Sequence, residues 1–413
     1  MIIQRDGYLN KISAAISSVP IVILIGARQV GKTTLMNTTK VVGPIMKMHG
    51  QNPADAEKLS EYQLISRYLH NYFGETLDGT LMVDEFQYIP NIGTILKLLV
   101  DKFPSLKIIC TGSSSLDIYS QMKESMAGRV RYIPVYPLSF REYLLFTSQE
   151  LLLSFEKIEV MEDLRLVDPR IPSMMEEYMV FGGLPKIALA KTAEEKVELL
   201  TDIMRTYLLR DVRNYIRNED FVGFNKVLRL LAAQIGGMIN INELSLTTGV
   251  AYRRCEEYIH ILEQMFVLHQ VHPFTTNKRS ELTKMKKGYF FDNGIRNVIH
   301  NDFNTMETRL DNGVLFENFI YMELIRELIR PESVWYYRTR DGMEIDFILE
   351  KGGKVIPVEV KFRKYQKPSS LRSLTTFNSY QPFKKGYCIN RNFSAIHNNI
   401  RFLPGYFTGK IAL

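Results

Sequence analysis

At 413 residues, 46% apolar and 23% charged, the chain has the make-up of a folded globular protein with room for about two to four domains and sizeable cores. These proportions exclude a long disordered chain, and no apolar run approaches the roughly 18 residues of a helical membrane span. The net charge of +7 is concentrated: from Lys351 onward twelve Lys or Arg residues face one acid, Glu359, giving +11 over 63 residues and −4 for everything before. Such a field attracts polyanions, nucleic acid above all; a solvated face that keeps the protein soluble is the plainer alternative. Met1 to Asp6 lack a signal peptide's hydrophobic region, so the expected location is the cytoplasm, without membrane association. Cys110, Cys255 and Cys388 stand far apart and predict buried thiols rather than a disulfide framework or a zinc site.

The apolar run Ile21 to Ile25 predicts a strand. It leads into Gly26, Ala27, Arg28, Gln29, Val30, Gly31, Lys32, Thr33 and Thr34, which open a helix. Two glycines at this spacing let backbone N–H groups wrap a triphosphate, Lys32 reaches the β- and γ-phosphates, and the Thr33 hydroxyl can ligate Mg²⁺. ATP with Mg²⁺ is the expected ligand pair. A second strand, Leu81 to Val83, ends in Asp84 and Glu85. Asp84 is placed to hold Mg²⁺ through water, and Glu85 to polarise the attacking water. A third strand, Lys107 to Thr111, runs into Gly112 and three serines. Ser113 or Ser114 is a candidate γ-phosphate sensor at the carboxyl end of the sheet, with helix capping as the other reading. Arg129, after Ala127 and Gly128, could supply transition-state charge to a neighbouring subunit's nucleotide, or form a surface ion pair.

In this order the motifs resemble an AAA+-type ATPase. With Pro137-Leu138-Ser139-Phe140-Arg141-Glu142, Phe181-Gly182-Gly183-Leu184-Pro185 and Arg210-Asp211-Val212, they resemble more narrowly a prokaryotic family joining such an ATPase to a C-terminal domain of unknown function. The resemblance covers essentially the whole chain and implies an α/β fold, with a parallel phosphate-loop sheet over residues 1–150.

Residues 151–225 predict a helical lid, with helix-period apolar positions from Glu195 to Leu209. Gly182 and Gly183 predict a helix stop and turn, while Arg210 and Asp211 could contact nucleotide or pair on the surface. Residues 226–275 predict helices at Lys226 to Ile235, Ile241 to Thr247 and Ala251 to Met265, then a strand at Phe266 to Val271. This is a winged-helix arrangement. Arg253 and Arg254 would meet nucleic acid if the module reads it, but Glu256 and Glu257 follow at once, and interdomain packing is the other role.

Residues 276–413 hold a second constellation. Glu317 lies on a helix, Asp346 on a strand of alternating polarity, and Glu359 with Lys361 on a strand thirteen residues farther on, where period-two alternation gives them one face. A hairpin through Gly352 and Gly353 would bring Asp346 alongside. Two carboxylates can then hold Mg²⁺, Glu317 can complete the site, and Lys361 can activate water or neutralise phosphate charge. This resembles the PD-(D/E)XK restriction-endonuclease-like superfamily. The match implies Asp346 and Glu359 as metal ligands, Lys361 as the catalytic lysine and Glu317 as the helix acid, although Ile345 stands where the motif has proline. The basic run Lys361 to Lys367, with Phe362 and Tyr365 as stacking or core residues, and the loop around Lys278, Arg279 and Lys284 to Lys287 could border the same groove. The expectation is an ATP hydrolase whose C-terminal domain binds nucleic acid, DNA before RNA, and cuts it, with the chain working as a homo-oligomer. The competing class is a non-nucleolytic ATP-dependent switch binding a protein or nucleic acid.

Overall fold

The computed structural model describes residues 3–113, 126, 128–158, 164–208, 212, 215–275, 284–327 and 333–411. Ser114, Ala127, Arg210, Asp211, Lys278 and Arg279 lie outside the described residues. The chain divides into two compact units, Met1–Tyr136 with Gln264–Phe266, and Pro137–Glu263 with Val267–Leu413.

The first unit is a five-stranded sheet, β1 (Ile21–Ile25), β2 (Ile45–His49), β3 (Thr80–Asp84), β4 (Lys107–Gly112) and β5 (Val130–Pro134), in the order β2-β3-β4-β1-β5 with every pairing parallel. All five residues of β1 and of β3 are buried, as expected of parallel strands covered on both faces. Because β4 lies between β1 and β3, the loop after β1 and the acids ending β3 flank the end of β4.

The second unit begins with helices. Ser139 and Glu142 form a reciprocal capping box that starts the helix Phe140–Thr147. The expected helix from Glu195 is α-helical over Ala193–Ile203 and widens into a π-helical turn at Met204–Leu208. The helix Arg170–Phe181 ends at Gly182 (φ +80°), and Pro185 occupies the first turn of the next helix, Pro185–Leu189.

Three helices follow, Phe221–Ala233, Ile241–Thr248 and Tyr252–Gln264. Behind them comes an eight-stranded sheet that includes β6 (Leu268–Pro273), β7 (Lys287–Phe290), β8 (Val334–Arg338), β9 (Glu344–Lys351) and β10 (Lys354–Val360). β11 (Gly386–Asn390), β12 (Ala395–His397) and β13 (Ile400–Pro404) complete it, in the order β12-β13-β11-β10-β9-β8-β6-β7. Met238, between the first two helices, bridges to Lys287 of β7, so the helices and the sheet share hydrogen bonds. Within this sheet the helix Asn312–Glu327, the antiparallel run β8-β9-β10, the helix Arg372–Tyr380 and β11, parallel to β10, follow in chain order.

The helix Asn312–Glu327 carries Glu317 near its middle. Near its C-terminal end the buried Glu323 and the partly buried Arg326 hold residues 137–140: Phe140 N donates to Glu323 Oε1 (3.1 Å), and Arg326 Nη2 donates to the carbonyls of Pro137 and Leu138 (3.1 and 3.0 Å).

Candidate functional site

In the first unit the loop after β1 is set by contacts that exclude a side chain. A Cβ on Gly26 would lie 2.2 Å from the Val135 carbonyl oxygen, so only glycine lets the two backbones approach. Gln29 and Gly31 adopt positive φ (62° and 96°) before the helix Lys32–Thr38. Lys32 is 5% exposed and donates to the carbonyls of Gly26 and Ala27 (2.9 and 2.8 Å), folded back on its own loop. Arg28 reaches Tyr88 Oη (2.7 Å), and Thr34 is exposed on the first turn.

Thr33 Oγ1 donates to Asp84 Oδ1 at 3.1 Å, so the hydroxyl and carboxylate singled out for Mg²⁺ meet although 51 residues separate them. Thr111 Oγ1, from the intervening β4, donates to the same oxygen, and His49 Nε2 lies 3.9 Å from Asp84 Oδ2. Glu85 sits in the left-handed region (φ 50°), strain of a kind that concentrates at functional positions. Its Oε2 accepts from Ser113 Oγ (3.1 Å) and Gln87 Nε2 (2.6 Å), and its N–H donates to Thr111 Oγ1 (3.1 Å). Ser113 therefore touches Glu85 directly rather than capping a described helix. Arg129 pairs with Asp101 (Nε to Oδ1, 2.5 Å), both half-exposed.

Sequence reading passed over Thr111, Gln87 and His49, along with Arg5. The buried Arg5 guanidinium donates to the carbonyls of Val30 (3.0 Å) and Tyr136 (3.1 Å), fixing the phosphate loop from behind. Thr111 was legible in principle, being the polar end of a buried strand.

In the second unit, β9 and β10 pair antiparallel from Lys351 opposite Lys354 to Phe347 opposite Val358, closed by the two-residue turn Gly352–Gly353. Asp346 and Glu359 come together at the end of this hairpin. Asp346 Oδ2 accepts from Val360 N (2.6 Å), Glu359 Oε2 accepts from Ser373 Oγ (3.1 Å), and Lys361 Nζ lies 2.7 Å from Glu359 Oε1 and 3.9 Å from Asp346 Oδ2. Burial pushes the Asp346 carboxyl up to about 7, reinforced by the charge of Glu317; burial and then Asp346 push Glu359 up to about 7. Burial opposes the charge of Lys361, but Asp346 and Glu359 outweigh it and hold the ammonium above its usual range.

Glu317 faces the same cluster from its helix but is engaged by Lys287 Nζ (3.1 Å) and Tyr289 Oη (2.5 Å) of β7. Lys287 also pairs with Glu344, which lies on the Asp346 face of β9, two residues before it. Tyr365 is buried in the core beside Phe402, and the Arg391 guanidinium covers Phe362, 4.3 Å from its ring centroid. Arg254 is held by Asp220 (3.4 Å) and Glu257 (3.0 Å), while Arg253 is exposed. All three cysteines are free, buried thiols, and no described helix is long and apolar enough to cross a membrane.

With this geometry in view, comparison with known proteins is informative for the first unit. Residues 18–144 match the family described as AAA domain, and the chain carries an AAA-type ATPase domain. Residues 173–305 match the Domain of unknown function (DUF8612), and residues 312–404 the Domain of unknown function (DUF4143). An uncharacterised protein of Mycobacterium tuberculosis is 26% identical over 378 residues, covering 91% of this chain and 77% of its own. Another, of Haemophilus influenzae, is 24% identical over 374 residues, covering 87% of each chain. Among solved structures, a Walker-type ATPase of Pyrococcus abyssi shares the fold with a TM-score of 0.51 and 15% identity, over 72% of this chain and 96% of that one.

Proposed function

We propose that the protein binds and hydrolyses ATP in its first unit, and that its C-terminal domain engages nucleic acid, DNA in preference to RNA, and cleaves it. The observation that carries the ATPase reading is the meeting of Thr33 with Asp84 beside Lys32 at one end of the parallel sheet. Bound Mg²⁺ would neutralise phosphate charge there. Thr33 and Asp84 would hold it, Lys32 would leave the loop carbonyls for the β- and γ-phosphates, and Glu85 would orient the attacking water. Ser113, hydrogen-bonded to Glu85, would sense the γ-phosphate, and Arg129 would serve a neighbouring copy's nucleotide in a homo-oligomer.

The cleavage reading rests on Asp346, Glu359 and Lys361 sharing one hairpin end, with Glu317 facing them from the preceding helix. Mg²⁺ held by Asp346 and Glu359 would act as a Lewis acid, with Lys361 steering water or balancing phosphate charge. The bridge from Met238 to Lys287 supports the winged-helix reading of residues 226–275, since it ties the segment before the second helix to β7, the antiparallel neighbour of the strand β6 that follows the third helix. The contacts of Arg254 with Asp220 and Glu257 favour packing over base reading by that helix.

The test is cleavage of single- and double-stranded DNA and RNA with Mg²⁺ or Mn²⁺, with and without ATP, in the wild type and Asp346→Ala. Cleavage lost in the variant while ATP hydrolysis persists supports the reading. A second reading, a switch that binds without cutting, is favoured by the direct Lys361–Glu359 pairing, which leaves the site partly neutralised by its own side chains. Binding without cleavage in either metal would establish it.

A further inference from the structure

Lys287 is a buried ammonium that the proposed chemistry does not use. It is 3% exposed at the start of β7, 3.1 Å from Glu317 Oε1 and paired with Glu344. Tyr289, on the same face of the strand by period-two alternation, donates to the same Glu317 oxygen at 2.5 Å. The strand is fixed on its other edge: Gly236 N donates to Gly288 O (2.8 Å), Gly288 N to Gly237 O (3.1 Å) and Ile239 N to Lys286 O (2.8 Å). Lys287 therefore cannot swing clear as a surface lysine does, and Glu317 has its charge matched inside the protein.

Charge counting sharpens the point. The buried carboxylates of Asp346 and Glu359 and the partly buried one of Glu317 face the ammoniums of Lys287 and Lys361, while Glu344 is also met by Arg338 at 3.4 Å. With Glu344 and Arg338 cancelling and Asp346 and Glu359 deprotonated, as metal binding requires, one net negative charge remains. One divalent cation at Asp346 and Glu359 turns this into one positive charge, the complement of a phosphodiester. A second at Glu317 would have to displace Lys287, or sit against its ammonium with little solvent to screen the repulsion.

We propose that Lys287 is a resident cation that takes Glu317 out of metal binding, so that the C-terminal site accepts one divalent ion rather than two. The inference rests on the reading of Asp346 and Glu359 as metal ligands but fails separately from it.

The test counts Mn²⁺ bound by the nucleotide-free, full-length protein, using equilibrium dialysis and the electron paramagnetic resonance of free Mn²⁺. Wild type should hold one more ion than Asp346→Asn. Glu317→Gln should keep that ion, and Lys287→Met should gain a second. Emission of Trp335, the chain's single tryptophan, on β8, checks that each variant is folded; if Lys287→Met does not fold, Glu317→Gln decides. Two ions lost in Asp346→Asn, or loss of the ion in Glu317→Gln, would overturn the role of Lys287 while leaving the metal ligands standing. No difference between wild type and Asp346→Asn would remove the metal ligands themselves, and the ion count with them.

Discussion

Replacing Gly182 by alanine should destabilise the second unit severely. Gly182 has φ +80° and ψ −174°, a region essentially reserved for glycine, and holding alanine there costs on the order of 1–3 kcal/mol. The added Cβ would also lie 2.1 Å from Asp292 Oδ1. Asp292 cannot step aside cheaply: it is 5% exposed, accepts from Gly183 N (2.7 Å) through Oδ2, and caps the helix Asn293–His300 by accepting from Ile295 N (3.0 Å) through Oδ1. Loss of the cap costs about 1 kcal/mol, and a buried donor left without an acceptor about 1–3 kcal/mol. The sum is roughly 3–7 kcal/mol, which at about 2–4 °C per kcal/mol for a unit of this size lowers the melting temperature by about 6 °C or more. Trp335 lies in this unit, so its emission during thermal unfolding follows the affected part, while nucleotide binding by the first unit serves as a control. A loss below about 1 kcal/mol would refute the idea that the Phe181 to Pro185 signature exists to seat Asp292.

Asp292 also sets a pH dependence. Burial raises its carboxyl to about 6 from 3.8, against the opposing N–H groups of Gly183 and Ile295. Between those values the unfolded chain releases a proton that the folded chain keeps, so the stability tied to the bound proton is complete below pH 3.8 and lost as pH rises through 6. The expected fall is on the order of 2–3 kcal/mol, and melting temperatures of wild type and Asp292→Asn between pH 4 and 7 should show a flatter profile in the variant. Lys32→Ala should abolish ATP turnover, a loss of at least ~10²-fold in a phosphate-release assay; normal turnover would sink the nucleotide assignment. Glu85→Gln should lower turnover by roughly 10²–10⁴-fold while fluorescent-nucleotide binding persists; parallel loss of binding would make Glu85 a structural residue instead.

What the sequence made legible was local. The phosphate loop announces itself because a strand, two glycines, a lysine and a threonine occupy consecutive positions, and the hairpin through Gly352 and Gly353 is readable because two alternating runs flank a two-residue turn. Alternation also put Glu359 and Lys361 on one face. It could not say which strands would be neighbours: β4 comes after β3 in the chain yet lies between β3 and β1, bringing Thr111 onto Asp84. The same limit hid the engagement of Glu317. Lys287 precedes it by 30 residues and reaches it from a strand at the far edge of the sheet order, so the run Lys284 to Lys287 read as a basic loop bordering the groove rather than as part of the cluster. Gly182 and Gly183 read as a helix stop, but the reason residue 182 must be glycine lies far along the chain, in the carboxylate of Asp292, while a side chain at Gly183 is excluded by the Leu138 carbonyl and the Tyr178 ring.

The cost of the C-terminal cluster bears on whether it works. Taking Asp346, Glu359 and Lys287 out of water is penalised more heavily than their mutual attraction repays unless every lone pair and proton finds a partner, and a well-packed apolar set of the same volume is often as stable or more so. Here two carboxyls are pushed up to about 7 even with two ammoniums beside them, so the pairing does not offset their burial. A sheet built only to scaffold the three helices would gain stability by exchanging these residues for aliphatic ones. Their presence around the end of the β9–β10 hairpin, which is open at the half-exposed Lys361, argues for a ligand that recovers the cost on binding. A divalent cation together with a phosphate has the charge to do so.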